Sequence, residues 1–134
     1  MLAAQAQKEV SVNEAFFLAD MLLHPAVESH TNAPPTSPAE GACWLVGTSP
    51  SGVWTGHAGA LATFNAGEWT FVPPRNGMTL LVVGTGQMMR YRNGWQAAAP
   101  VSAPTGGTVI DIEARTAIAD IRAALVATGI LPQP

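Results

Sequence analysis

Twice in the middle of the chain an aromatic residue runs into a turn containing Asn and Gly and comes out on a tryptophan. Phe64-Asn65-Ala66-Gly67-Glu68-Trp69 is one copy and Tyr91-Arg92-Asn93-Gly94-Trp95 the other. Glycine adopts left-handed backbone without steric cost, and Asn-Gly between two apolar runs is the strongest short-range hairpin signal. Residues 42–99 are therefore expected to form antiparallel β-structure, as a meander, a small sandwich or a barrel. Strands are expected at 43–46, 60–64, 68–72, 79–83, 87–92 and 95–97. Gly52-Val53-Trp54 echoes the end of each copy and predicts the start of a further strand. Two and a half copies at irregular spacing describe hairpins built alike, not a solenoid. Gly84-Thr85-Gly86 joins strand to strand and lacks the following helix that a phosphate loop needs, so it reads as a turn.

Helices are expected on either side, which makes the fold class α+β. Ser11 stands three residues before Glu14, the spacing of a capping box, and predicts a helix start near Val12. Val12, Ala15, Phe16, Ala19, Leu22 and Leu23 follow at helical spacing, and Phe17, Leu18 and Met21 widen the apolar surface. A helix apolar nearly all round is expected to be buried. Pro25 ends it. Residues 3–9 are expected as a separate turn or arm, so 1–31 form an N-terminal arm and helix. Three prolines make 32–41 an extended spacer. Residues 100–110 read as a linker, and 111–131 hold a C-terminal helix. There Asp111 suits the N-cap, Gly129 the C′ position and Pro132 the stop. Ala114, Ile118, Ile121, Leu125 and Thr128 are spaced 4, 3, 4 and 3, a narrow heptad seam.

Charge is the scarce commodity. Charged residues make up 11% of the 134, against a typical ~25%. Lys8 is the only lysine, five arginines accompany it, and the net charge is −3. That balance gives no footprint for nucleic acid. The best apolar run, residues 15–23, is too short to span a bilayer and contains Asp20, so no membrane insertion is expected. The first residues lack a basic region followed by an apolar run, and no secretory signal is expected. So few charges on one small domain point to a surface covered by other subunits. Val12, Phe16, Leu22, Ala114, Ile118, Ile121 and Leu125 are the candidate oligomer interface.

The residues that could carry chemistry are few. Glu68 and Glu40 are the only acids in or beside the β-region, and both sit near turns. His24, His30 and His57 form no HxH or HExxH spacing, so no metal site is expected. Cys43 is a lone cysteine in a strand, read as a small buried hydrophobe. No catalytic residue and no cofactor is expected. Trp54, His57, Trp69, Arg90, Tyr91, Arg92 and Trp95 are the candidate glycan-binding set. Aromatic faces stack on sugars, and arginines hold the carboxylates or phosphates of acidic glycans. The competing reading places the tryptophans at strand starts, closing the end of a β-core.

Gln5-Ala6-Gln7-Lys8-Glu9-Val10-Ser11-Val12-Asn13-Glu14-Ala15, Ala33-Pro34-Pro35 through Pro38-Ala39-Glu40-Gly41, and Gly52-Val53-Trp54-Thr55-Gly56-His57-Ala58-Gly59-Ala60-Leu61-Ala62 carry a resemblance. Gly67-Glu68-Trp69-Thr70-Phe71-Val72-Pro73-Pro74-Arg75-Asn76-Gly77 adds to it. Together, over roughly residues 3–98, they resemble an uncharacterised domain family of alphaproteobacterial phages, prophages and gene transfer agents. The resemblance implies a virion protein in a fibre, spike or tail context, assembled in the bacterial cytoplasm beside other virion proteins. It supplies no catalytic residues. The expected function is a non-catalytic, oligomeric structural component, with a homotrimer as the expected assembly. The alternative is an adhesin-like module that binds host surface polysaccharide for attachment.

Overall fold

The computed structural model describes residues 3–133, with side chains from Lys8 onward. Met1 and Leu2, the beginning of the expected arm, lie outside the described residues. The elements in order are α1 (Ala3–Leu23), β1 (Ala26–Val27), β2 (His30–Thr31), β3 (Cys43–Val46), a 3-10 turn (Gly52–Trp54), β4 (Leu61–Asn65), β5 (Glu68–Val72), β6 (Thr79–Val82), β7 (Gln87–Tyr91), β8 (Trp95–Gln96) and α2 (Ile112–Ala127). Two helices flank a two-sheet core, so the architecture is α+β, with no closed barrel.

One sheet has the order β1-β6-β7-β8 and the other β2-β3-β4-β5. Both are mixed rather than purely antiparallel, because β1 runs parallel to β6 and β2 parallel to β3. The segment that follows α1 thus lends two residues to each sheet, and the Glu28 and Ser29 backbones between them bond to β3. These pairings escape a sequence reading because two residues are too few to show a period.

The core lies between the sheets. Val27, Leu80 and Val82 of one meet Cys43, Leu45 and Leu61 of the other, with Met89 and Trp95 packed alongside. A second cluster covers the outer face of β3 and β4: Trp44, Val46, Trp54 and Ala62, flanked by Phe64, Trp69 and Phe71. β3 is therefore buried on both faces, which explains why Cys43-Trp44-Leu45-Val46 is apolar at every position rather than at alternate ones. Gly52–Trp54 corrects one expectation. It forms a 3-10 turn, not a strand, and lays the Trp54 ring over this second cluster.

The two hairpins stand where the glycines mark them. Ala66 and Gly67 both have positive φ, +51° and +81°, as a tight hairpin turn demands. The Ala66 N–H donates to a Glu40 carboxylate oxygen at 2.8 Å, fastening the end of the proline spacer to this turn. The β7–β8 turn is clamped by Asn76, whose side-chain oxygen accepts from the Asn93 N–H at 2.8 Å.

α1 starts earlier than expected. α1 is continuous from Ala3, so Ser11 lies inside it and not at its cap. The alanine- and glutamine-rich residues 3–9 have high helix propensity and contain no breaker, so the helix extends back through the expected arm. Nor is α1 buried within this chain. Phe17, Leu18 and Met21 are half-buried against the sheets, while Val12, Phe16, Leu22 and Leu23 are exposed. α2 has no buried residue at all. Its ends are as expected: the Asp111 carboxylate accepts from the Ala114 N–H at 2.8 Å. At the other end Ile130 N–H donates to Leu125 and Gly129 N–H to Val126, the bonds of a Schellman motif.

Candidate functional site

The candidate aromatic and basic residues do not converge. Trp54 has no solvent-accessible surface. Its ring meets Trp69 edge to face at 5.2 Å, and Trp69 meets Trp44 at 5.4 Å and Phe64 at 5.1 Å. A ring enclosed in this way presents no face to a sugar. The Trp54 indole N–H is buried without a hydrogen-bond partner, a cost borne by the core. Trp95 belongs to the inter-sheet cluster, and its indole N–H donates to the Gly59 carbonyl at 2.8 Å. Tyr91 meets Trp95 edge to face at 5.3 Å.

Alternation along β7 divides the rest. Met89 and Tyr91 share the inward face with Leu80 and Trp95, while Met88 and Arg90 project outward. The arginine and the tyrosine thus lie on opposite faces of one strand. Arg92 is exposed in the turn beyond. His57 is exposed and stacks on Phe71, ring centroids 3.7 Å apart with planes 6° from parallel. Its backbone closes the turn after Trp54, accepting from Ala60 and donating to the Trp54 carbonyl.

The Glu40 carboxylate is taken up by the Ala66 N–H, and Glu68 is exposed on the same hairpin. No group of three or more His, Cys, Asp or Glu could hold a metal ion among the described residues. Cys43 is 7% exposed, and burial pushes its thiol up to about 12, so the reactive thiolate is suppressed at neutral pH. No described helix is long and apolar enough to cross a membrane.

The residues with the most unsatisfied physical chemistry are apolar. On α1, Phe16 is 70% and Leu23 71% exposed. With Val12 and Ala19 they form a stripe spaced 4, 3 and 4 along the helix, the geometry of a coiled-coil seam. Leu22 and Leu23 also border a groove of about 700 Å³ with Pro25, Val72, Pro73 and Met78. On α2, Ile118 and Ile121 of the expected seam are exposed, with Ala114, while Leu125 is half-buried. The structure thus leaves all the candidate interface residues except Leu125 exposed within the chain.

The family of proteins of unknown function DUF2793 matches residues 12–96, more than half of the chain. The chain belongs to this family. The match begins within α1 and ends with β8, so it takes in both sheets and leaves α2 outside. No curated protein matches the sequence.

One structural contact is not legible in the sequence. Beyond α2, residues 129–131 dock on β7. Met88 N–H donates to the Gly129 carbonyl, and Leu131 is 7% exposed. The visible signal was the apolar pair Ile130-Leu131 directly after a C′ glycine, a position where helix-terminal motifs make an apolar contact.

Proposed function

We propose that this protein is a non-catalytic structural subunit that assembles with copies of itself, as a fibre, spike or tail-associated component of a phage or gene-transfer-agent particle. The observation that carries the reading is α1. Its Val12, Phe16 and Leu23 face solvent on a helix whose opposite side already leans on the sandwich. Apolar patches left open on a small protein mark an interaction surface. The particle context rests on the sequence resemblance, and assembly is the physical reason for the low charge. A homotrimer is the proposed assembly, and the apolar seam on α2 is compatible with a symmetry axis.

The polysaccharide-binding alternative draws on fewer residues than the sequence suggested. Trp54 is enclosed, and Arg90 points away from Tyr91 and Trp95. Antibody labelling of particles purified from cells that carry the gene tests the proposal. Label in a regular position on intact particles is expected. Protein found only in the soluble lysate, with none on particles, would refute it.

A further inference from the structure

The hydrogen bonds between the C-terminal arm and the sheets are gathered at one place, Gln87 and Met88. Residues 97–110 contain no helix or strand and are exposed throughout. No α2 residue is fully buried, though Arg122, Leu125 and Val126 are half-buried, and Arg122 and Val126 line the groove that α2 forms with Pro100 and Val101. After α2, the hook Gly129-Ile130-Leu131 makes the hydrogen bonds that tie it to the sheets. Met88 N–H donates to the Gly129 carbonyl, and the Gln87 side-chain amide reaches the Ile130 carbonyl at 3.5 Å. A Cβ on Gly129 would lie 2.6 Å from the Gly86 carbonyl oxygen, so the approach is fitted to glycine. The notch of Gly86, Gln87 and Met88 is the turn residue and the start of β7 that β8 leaves unpaired, since β8 pairs only with Arg90 and Tyr91.

The same amide of Gln87 also donates to the Ala98 carbonyl at 2.7 Å, so the chain leaves for its arm from beside the notch to which the hook returns. Further along, the Arg115 guanidinium donates to the Pro104 and Gly106 carbonyls, binding the distal linker to α2 as one unit. A chain opened between Ala98 and Pro104 would keep all these contacts if the hook docked on a neighbour. Extended at ~3.3 Å per residue, residues 97–110 span on the order of 45 Å, enough to reach one. Exchange of an identical element is a low-cost route to assembly. It also brings α2 helices of different copies together, where Ile118 and Ile121, wet in the closed chain, can pack.

We propose that the β7 notch takes its Gly129-Ile130-Leu131 hook from a second copy of this chain, so that neighbouring subunits exchange their C-terminal helices. The exchange rests on the self-association proposed above and adds which segment crosses between subunits. It explains why the hook is a fitted contact while Ile118 and Ile121 on the helix that carries it are exposed.

The test is Gln87→Cys with Ile130→Cys in the full chain, treated with a short bismaleimide in the native state and separated under denaturing conditions. Cys43 is buried and does not compete. Covalent dimers and higher species are expected, with each single variant staying at the monomer position. Cross-linked monomers alone, from protein that light scattering shows to be assembled, would overturn the exchange and leave self-association standing. Protein that is monomeric by light scattering would overturn both. If the double variant does not fold, an affinity-tagged Gln87→Cys chain reassembled with an untagged Ile130→Cys chain replaces it. Tagged-to-untagged product supports exchange, and its absence from co-assembled protein refutes it.

Discussion

Replacing Trp54 separates a core tryptophan from a ligand-binding one. The side chain is fully enclosed by Trp44, Trp69 and their neighbours. A tryptophan in that state removes on the order of 200 Å² from water, about 5 kcal/mol at ~25 cal/mol/Å². Truncation of such a residue to alanine costs about 3–5 kcal/mol. Domains of this size hold about 5–15 kcal/mol in all. Trp54→Ala should therefore lower the melting temperature by roughly 10–20 °C, at ~3–5 °C per kcal/mol. Trp54→Phe should behave differently. It gives up part of the ring area, about 1–2 kcal/mol, but also removes an indole N–H that is buried without a partner. Relief of that group is worth about 1–3 kcal/mol, so the net change should lie within ~1 kcal/mol. Urea unfolding followed by far-ultraviolet circular dichroism measures both without relying on tryptophan emission. An alanine variant within ~1 kcal/mol of the parent would refute the core role. A phenylalanine variant as damaged as the alanine one would refute the unpartnered N–H.

Further outcomes follow from the same contacts. Gly129→Ala sets a Cβ against the Gly86 carbonyl at a φ of +71°. It should cost at least about 1–2 kcal/mol at the hook and raise amide exchange at Met88 well above that at Leu80. Cys43 has a folded-state pKa raised from 9.0 to about 12 by burial. The unfolded thiol therefore releases its proton first, and stability that is complete below pH 9 falls as pH rises from 9 toward 12. The slope is about 1.4 kcal/mol per pH unit, and Cys43→Ala should lose that component in alkaline urea titrations. Glu40→Ala removes the acceptor for Ala66 N–H on an exposed turn. Unfolding free energy should drop by ~1 kcal/mol, within the range for such bonds.

The hairpins were legible because their turns are chemical: Ala66-Gly67 and Asn93-Gly94 sit at positive φ, where few residues other than Asn and Gly are comfortable. The C-terminal helix was legible for the same reason, since Asp111 and Gly129 satisfy particular backbone groups at its ends. Less legible was everything set by distance along the chain. β1 and β2 join their sheets through two residues each, and nothing local marks Ala26-Val27 as a partner of Leu81-Val82. The start of α1 is not legible, because Ser11 and Glu14 have capping spacing yet sit in a stretch with no breaker before it. The apolar surface of α1 is legible, but not what covers it: a helix that needs cover need not receive it from its own chain. Among candidate site residues, periodicity could place Arg90 and Tyr91 on opposite faces of β7. No pattern in the sequence could show Gly52–Trp54 curling back to seal Trp54.

The central claim is that the bare apolar side of α1 is covered by copies of the same chain, and the most direct test is mass in solution. Light scattering of the full chain at micromolar concentration should give a multiple of 13.9 kDa, with three the expected number. Phe16→Asp combined with Leu23→Asp should reduce it to the monomer mass. Because both positions are exposed within the chain, the sandwich should stay folded by circular dichroism. A parent protein that runs as a clean 13.9 kDa monomer, or an assembly that the double substitution leaves intact, would contradict the account.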